Sequence, residues 1–250
     1  MTNSNPEPQA VAVIPARYAS TRFPGKPLID LAGKTMIERV VDRARAAQTV
    51  SRVIVATDDE RIANAVRGFG GEAMMTRSTH RSGTERLAEV AAHVEAEIFV
   101  NVQGDEPLLD PQAIDSAVGA LAEDPAVRVA TIATPIREPG PLGDPNVVKV
   151  VMDFDGNALY FSRAPIPWLR DAEQDFTPHY FKHIGLYVFR RDALLEFPTL
   201  PPGELERAEQ LEQLRWLENG VPIRVAQTDY DSLSIDVPED VQRVLARLPK

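Results

Sequence analysis

The chain contains no cysteine in its 250 residues. This absence excludes disulfide bonds, zinc sites built on thiolates and a cysteine nucleophile, so any metal site must use oxygen or histidine ligands. The chain also lacks an apolar run approaching the ~20 residues of a membrane-spanning helix. Residues 1–10 are polar with two prolines, which predicts a disordered tail and not a secretory signal. These absences lead us to expect a cytoplasmic protein.

Basic residues are fewer than acidic ones: the chain has 27 Lys and Arg against 37 Asp and Glu, and its formal net charge is −10. Nucleic-acid binding depends on broad cationic surfaces, so no nucleic-acid partner is expected. The N-terminal region departs from this balance, because no acid occurs between Glu7 and Asp30 while Arg17, Arg22 and Lys26 do. This local reversal of sign indicates a binding site for an anion.

These cations lie in a loop that follows a short apolar segment at residues 11–14. Backbone N–H groups, hydroxyls and cations in such a loop suit a polyphosphate, and open α/β sheets bind ligands beyond the carboxyl ends of their strands. The usual nucleotide fingerprints G-x-x-x-x-G-K-[ST] and G-x-G-x-x-G are both absent. Since cation runs are also common on solvated surfaces, a plain surface loop is the alternative.

Strand-like and helix-like segments alternate through the first half of the chain, which predicts a three-layer α/β/α fold with a mostly parallel sheet. Ser82 and Glu85 form a capping box before one of the helices. The strands are expected at residues 11–14, 53–56 and 98–102, and the helices at 36–47, 61–69 and 85–97.

The second half changes character, because two strand-like runs are separated by Asp and Gly residues that suit a hairpin turn. The runs are residues 147–151 and 158–161, and a Pro-rich stretch at 164–168 follows them. We therefore expect an antiparallel subdomain, at about residues 140–190, inserted into a single domain that spans 11–250. Further strands are expected at 184–189 and 222–228, and helices at 205–217 and 238–248.

Two aspartates follow short apolar segments. Asp105 follows the strand expected at 98–102, and Gly104 beside it allows close approach of another backbone. Asp236 precedes a predicted helix, and with Glu239 it also matches a helix cap, which is the structural alternative. Two carboxylates beside a cationic loop would hold Mg²⁺ against a triphosphate, because Mg²⁺ prefers oxygen ligands and bridges phosphates. The combination points to nucleotidyl transfer.

Six motifs extend this pattern along the chain: I-P-A-R-Y-A-S-T-R-F-P-G-K-P-L from residue 14, A-T-D from 56, S-G-T-E-R from 82, N-V-Q-G-D-E-P from 101, Y-F-S-R-A from 160 and L-E-Q-L-R from 211. In this order they resemble the 3-deoxy-manno-octulosonate cytidylyltransferases, or CMP-Kdo synthetases. The resemblance implies a nucleotide-diphospho-sugar transferase-like fold and transfer of CMP from CTP to 3-deoxy-manno-octulosonate (Kdo) for lipopolysaccharide synthesis. It also implies a Mg²⁺ cofactor and a homodimer to which the inserted subdomain contributes.

The same resemblance implies roles for individual residues. The CTP phosphates would be held by Arg17, Ser20, Thr21, Arg22 and Lys26, and Mg²⁺ by Asp105 and Asp236. Cytosine would be received near Ala16, Arg77, Ser82, Gly83 and Gln103. The sugar acid would be held by Arg163, His183, Tyr187, Glu212 and Gln213, with Arg163 or Arg22 suited to its carboxylate.

Several alternatives stay open at this point. Tyr187 is compatible with the apolar core, His183 alone is typical of a structural residue, and Glu212 or Gln213 can face solvent from an amphipathic helix. Val237 stands where the family more often has threonine. Residues 170–180 align poorly, so an 8-amino analogue of Kdo is an alternative substrate. A sialic-acid-like sugar is a separate alternative, although the cytidylyltransferases that act on such sugars tend to have a first loop richer in Gly and Lys than residues 18–22 here. Nucleotide hydrolysis and CTP binding without turnover are the alternatives to sugar activation.

Overall fold

The structure is a computed structural model that describes residues 9–19, 23–171 and 178–248. In chain order its strands are β1 (Ala10–Ala16), β2 (Asp30–Leu31), β3 (Lys34–Thr35), β4 (Val50–Thr57), β5 (Glu72–Met75), β6 (Ile98–Asn101), β7 (Val129–Pro135), β8 (Lys149–Met152), β9 (Ala158–Ser162), β10 (Phe181–Arg190) and β11 (Ile223–Gln227). The α-helices are α1 (Met36–Arg45), α2 (Glu60–Gly68), α3 (Gly83–His93), α4 (Pro111–Ala122), α5 (Pro139–Gly143), α6 (Arg191–Glu196), α7 (Glu204–Glu209), α8 (Leu214–Glu218) and α9 (Asp240–Leu245).

The main sheet runs in the order β11-β7-β10-β6-β1-β4-β5. Strand β1 pairs in parallel with β4 and β6, β4 with β5, and β7 with β11, while β10 lies antiparallel between β6 and β7. The predicted α/β class with a mostly parallel sheet is confirmed. Because β1 and β6 are parallel neighbours, the loops that follow them leave the same edge of the sheet.

Alternating side chains of the central strands enter two apolar cores, one on each face of the sheet. In β1, Ala12 and Ile14 face the core formed with α1, α2 and α4, whereas Val11 and Val13 face the core formed with α3, α6 and α8. Complete burial of a valine or isoleucine contributes about 1.5–3 kcal/mol, so both layers of helices are held firmly. This is the predicted three-layer arrangement.

The predicted hairpin is confirmed as β8 and β9, which pair antiparallel. Strand β8 also pairs with the beginning of β10, where Lys149 opposes Lys182. The hairpin therefore extends the main sheet through β10. Residues 1–8 of the predicted tail lie outside the described residues, whereas its last residue, Ala10, is buried in β1.

The helix predicted at 205–217 is wrong, because α7 and α8 are separate helices. The break comes at Gln210, whose φ of 52° is left-handed and ends α7. The helices predicted at 85–97 and 238–248 are shorter than expected, ending at His93 in α3 and Leu245 in α9. In the described part of the chain, no helix has both the length and the apolar character needed to cross a bilayer.

Candidate active site

A cavity of about 460 Å³ opens at the carboxyl ends of β1 and β6. Its walls come from the end of β1, the start of α3 and the segment after β6, including Gln103 and Asp105. Close packing of these segments depends on Gly104, because a Cβ there would lie 3.0 Å from the carbonyl oxygen of Pro15. We call this the first cavity. It lies where the sequence predicted a phosphate site.

Two of the three predicted cations line the first cavity. Arg17 donates a hydrogen bond to the carbonyl oxygen of His80. Lys26 Nζ donates to Asp105 Oδ2 and to the carbonyl oxygen of Ile235, each at 2.8 Å. The third cation, Arg22, lies outside the described residues together with Ser20 and Thr21.

The N-terminus of α3 forms another wall of the first cavity, through Ser82 and Gly83. Ser82 is the N-cap of α3, as the sequence predicted, because its Oγ accepts a hydrogen bond from the N–H of Glu85 at 3.2 Å. The reciprocal bond of the predicted capping box differs, because the Glu85 carboxylate accepts from the N–H of Arg81 at 2.8 Å and not from that of Ser82. The first turn of a helix carries a partial positive charge, so this wall favours an anionic or carbonyl-bearing ligand.

A second cavity, of about 530 Å³, lies beside the first on the β10 side of the sheet. Its walls are the segment at 144–148, part of β10, the segment that joins α7 to α8, and the segment at 232–243. Three predicted sugar-site residues line it, namely His183, Tyr187 and Gln213, and so does Asp236. Lys182, which the sequence analysis did not single out, adds a cation.

His183 is a buried, neutral histidine, since burial lowers its pKa to about 3. Its Nε2 lies 3.0 Å from Thr131 Oγ1, which lies 2.7 Å from the carbonyl oxygen of Leu186. Because the threonine proton goes to that carbonyl, His183 donates from Nε2. Tyr187 packs against the imidazole with ring centroids 5.4 Å apart, and burial raises the pKa of its hydroxyl.

Glu212 and Gln213 point to different surroundings, although they are neighbours. The Glu212 carboxylate accepts from Thr84 Oγ1 at the start of α3, and burial raises its pKa. Gln213 is 7% exposed and lines the second cavity. Its Nε2 has no hydrogen-bond partner among the described residues, so the amide is available to a ligand.

The two cavities meet at Lys26, whose ammonium lies 2.8 Å from Asp105 Oδ2 and 4.0 Å from Asp236 Oδ1. Asp105 lines the first cavity and Asp236 the second. Gln103 also spans the boundary, because its Nε2 donates to the carbonyl oxygen of Gly185 at 2.9 Å. The helix-cap alternative for Asp236 is wrong, since Glu239 occupies the N-cap of α9 without a side-chain bond.

The converging carboxylates fit a magnesium ion. Both lie within reach of one ammonium, which shows that a cation is tolerated between them. Within the described ranges, no group of three or more His, Cys, Asp or Glu side chains could cage a metal by itself. Mg²⁺ does not need such a cage, because it is commonly held by one or two carboxylates together with substrate phosphates and water. Asp105 and Asp236 meet that requirement.

Three predicted site residues line neither cavity, namely Arg77, Arg163 and Glu212. The Arg77 side chain is 71% exposed and pairs with Glu89 at 3.4 Å. Arg163 uses its guanidinium on carbonyl oxygens, including that of Glu209 at 2.7 Å. The structure thus leaves Arg77, Arg163 and Glu212 outside the two cavities. It brings seven predicted residues together at the first cavity: Ala16, Arg17, Lys26, Ser82, Gly83, Gln103 and Asp105.

Two carboxylates close to Asp105 and Asp236 were not among the residues predicted from the sequence. Asp240 accepts hydrogen bonds from the N–H groups of Asp236, at 2.8 Å, and Val237, at 3.1 Å, so it holds the loop that carries Asp236. Burial and the charge of Asp105 raise the pKa of Glu106 to about 7, and Tyr230 donates to it at 3.2 Å. Adjacency to Asp105 and Asp236 in the sequence was the available signal.

Comparison with known proteins decides the family. A family model described as Cytidylyltransferase matches residues 11–225. A protein of Geobacter sulfurreducens named 3-deoxy-manno-octulosonate cytidylyltransferase is 56% identical over 95% of this chain and 98% of its own length. A protein of Syntrophotalea carbinolica with the same name is 57% identical, over 95% and 97%. The chain belongs to the 3-deoxy-manno-octulosonate cytidylyltransferase family. The resemblance drawn from the motifs is confirmed, and this cytidylyltransferase is a nucleotidyl-transferring enzyme.

Solved structures agree with this assignment. A CMP:2-keto-3-deoxy-manno-octonic acid synthetase complexed with CTP superposes with a TM-score of 0.91 at 46% identity, covering 95% of this chain and 97% of that one. A 4-diphosphocytidyl-2C-methyl-D-erythritol synthase of Anaerococcus prevotii superposes at 0.63 with 15% identity, covering 96% and 98%. The second likeness concerns the fold alone. The nucleotidyltransferase-like fold expected from the sequence is confirmed by the first structure and by the family model.

Proposed function

We propose that this cytidylyltransferase transfers CMP from CTP to Kdo and releases pyrophosphate. The observation that carries the proposal is the position of Lys26, Asp105 and Asp236 at the boundary of two cavities. A nucleotide in the first cavity and a sugar acid in the second would bring the α-phosphate and the sugar hydroxyl to this boundary. Family membership supports the choice of both substrates.

The reaction then requires neutralisation and alignment of two anions. We propose that Arg17, Lys26 and Arg22 bind the phosphates, while the backbone at Ser82 and Gly83 receives the base. The oxygen of the sugar's anomeric hydroxyl attacks the α-phosphorus in line and releases its proton to water. A new P–O bond forms as the bond to pyrophosphate breaks. Positioning and electrostatics can carry such a transfer, so no covalent nucleophile is needed.

We further propose that Asp105 and Asp236 hold Mg²⁺. When bound, the ion would neutralise phosphate charge and favour departure of pyrophosphate. Asp240 would keep the backbone at Asp236 in place for this task, because its carboxylate accepts hydrogen bonds from the N–H groups of Asp236 and Val237. The arrangement matches a site in which the nucleotide completes the coordination.

The second cavity would take the sugar acid. We propose that neutral His183, the Tyr187 hydroxyl and the Gln213 amide bind its hydroxyl groups, since all three line this cavity. Lys182 on the same wall is a cation of the kind that suits a carboxylate, and in the structure its ammonium pairs with Asp231 at 2.8 Å. We propose a cytoplasmic location for the enzyme, because the reaction consumes CTP and nucleoside triphosphates are made in the cytoplasm.

We also propose that the enzyme is a homodimer. The hairpin and the segment after it expose large apolar side chains, with Leu159 62% and Trp168 80% exposed. Neighbouring Phe154, in the hairpin turn, is fully exposed. An exposed apolar patch of this kind is typical of a protein–protein contact.

Pyrophosphate release tests the reaction. The assay contains CTP, Mg²⁺ and Kdo, with controls that omit the sugar or replace CTP by ATP, GTP or UTP. Release that requires both CTP and Kdo supports the proposal. Release without sugar would indicate a hydrolase. Activity only with 8-amino-Kdo or a sialic acid would change the substrate, and CTP binding without any release would indicate a binding module.

A further inference from the structure

Lys149 is a fully buried cation that lines neither cavity. It begins β8, directly after the segment at 144–148 that forms one wall of the second cavity. Its ammonium donates three hydrogen bonds, to the carbonyl oxygens of Asp144 at 3.0 Å, Val147 at 2.6 Å and Arg163 at 2.6 Å. An ammonium has three donors, so its hydrogen-bonding capacity is filled by backbone alone.

Arg163 continues the connection from that wall to the opposite one. Its Nη1 donates to the carbonyl oxygen of Pro145 at 2.9 Å, in the segment that Lys149 also holds. Its Nε and Nη2 donate to the carbonyl oxygens of Glu209 at 2.7 Å and Gln210 at 3.4 Å. The guanidinium therefore joins the 144–148 segment to the end of α7.

The end of α7 is fixed to the hairpin by a second set of bonds. The Glu209 carboxylate accepts from Ser162 Oγ at 2.6 Å and from the N–H of Arg163 at 2.8 Å. The residues that follow include Leu211 and Gln213, which form the second wall of the cavity. Both walls are thus hydrogen-bonded to the same part of the hairpin, where β8 begins and β9 ends.

We propose that Lys149, with Arg163 and Glu209, is a positioning residue that sets the distance between the two walls of the sugar-acid cavity. This inference rests on the proposed function, which puts the sugar acid in that cavity. Lys149 would act on the substrate only through the backbone it holds, so it is distinct from residues that touch the sugar.

Lys149 can hold the wall because its side chain alone donates to three backbone carbonyl groups. Buried carbonyl oxygens need a donor, and removing a shared donor leaves them unpaired. The 144–148 segment would then have to turn its carbonyls toward water, and the wall would move. Because the first cavity is built from β1, β6 and α3, the CTP site would keep its shape.

Substitution of Lys149 by methionine tests this inference. Met keeps the apolar stem of the side chain and removes the three donors. We expect the KM for Kdo to rise on the order of tenfold to a hundredfold, as for a small misplacement of binding groups, while the KM for CTP stays unchanged. The matched control is Lys34→Met, which removes an exposed lysine paired with Glu38 and Asp42, and should leave both KM values unchanged.

A second measurement does not depend on turnover. Hydrogen exchange of the backbone amides at 144–148 should become faster in Lys149→Met, with amides of β1 and β6 unchanged. If Lys149→Met fails to fold, Glu209→Ala on the surface helix α7 replaces it, and the same rise in the KM for Kdo is expected.

The outcomes separate the two proposals. A wild-type enzyme that fails to use Kdo would refute the proposed function, while the exchange data would still decide whether Lys149 holds the wall. Unchanged exchange and an unchanged KM for Kdo in a folded variant would overturn the positioning role. An equal rise in the KM values for CTP and Kdo would also overturn it, because it would indicate a general structural defect.

Discussion

At the scale of single residues, one lysine and two aspartates lie close together at the boundary of the two cavities. Lys26 sits between Asp105 and Asp236, so each carboxylate has a cationic neighbour before any substrate binds. The nucleotide then brings further negative charge, which Lys26 and Arg17 can share. A metal held by the two carboxylates would keep this cluster close to neutral when the triphosphate is present.

Replacing Asp105 by asparagine tests the metal assignment. The variant keeps the shape of the side chain but loses its charge, and we expect kcat/KM to fall on the order of 10²–10³-fold, as for loss of one electrostatic group at a reacting phosphate. Steady-state kinetics with titrated Mg²⁺ measure the effect. The control is Asp155→Asn, in the exposed turn between β8 and β9. Full activity of Asp105→Asn at saturating Mg²⁺ would refute the assignment.

His183 links the second cavity to the pH dependence of stability. Its pKa is about 3 in the folded enzyme and about 6.5 in an unfolded chain. Between these values the unfolded state binds more protons, so the free energy of unfolding falls as the pH falls from about 6.5 toward 3. From pH 7.5 to 4.5 we expect this residue to account for a loss of about 3 kcal/mol.

Urea unfolding of wild type and His183→Gln at the two pH values measures this loss. Glutamine keeps an N–H donor for Thr131 and does not titrate. The wild type should lose about 3 kcal/mol more than the variant. Identical pH dependence in the two proteins would mean that His183 is protonated in the folded state, contrary to its burial.

At the scale of elements, sequence patterns predicted the strands and helix caps, which residues close together in the sequence determine. Strands β1 and β6 and the second half of β4 are buried on both faces and therefore appear as short apolar runs, and the N-cap at Ser82 is a local signal. Gln210 was invisible to such patterns, because the apolar spacing continues through the break between α7 and α8. The hydrogen bonds of Arg163 to the carbonyl oxygens of Pro145 and Glu209 join segments that are distant in the sequence. A motif alone therefore could not show whether Arg163 binds the sugar acid or holds these segments together.

The close approach of the loops after β1 and β6 makes a further prediction. Gly104→Ala would put a Cβ 3.0 Å from the Pro15 carbonyl oxygen, and backbone cannot move aside easily. We expect a loss of about 1–3 kcal/mol in the free energy of unfolding, as for other overpacked sites, and a higher KM for CTP.

The same substitution at Gly119 is the control. Gly119 lies within α4, and a Cβ there would meet no atom within 4 Å. Gly119→Ala should therefore stabilise the enzyme by up to about 1 kcal/mol, because alanine has the higher helix propensity. Denaturant unfolding measures both variants. Equal changes of the same sign would show that the Pro15 contact does not constrain the loop.

At the scale of the whole molecule, the strands β8 and β9 connect the exposed apolar surface of the hairpin to the second cavity. They carry Lys149 and Ser162, which hold the cavity walls, and also Leu159, which is 62% exposed. A partner subunit in contact with Leu159 would restrain the hairpin, and through it the walls of the second cavity. The proposed dimer would in this way bear on catalysis without supplying a residue to the reaction.

Sedimentation equilibrium of wild type and Leu159→Asp tests the dimer. We expect a dimer for the wild type and a monomer for the variant, because a charge in a buried interface is costly and a stable interface of about 1,600 Å² depends on such apolar contacts. Met75→Asp is the control, since Met75 is 39% exposed on β5, an edge strand of the main sheet that does not pair with the hairpin. A monomeric wild type would refute the dimer. A monomeric variant with a raised KM for Kdo would connect subunit association to the sugar cavity, whereas an unchanged KM would separate the two.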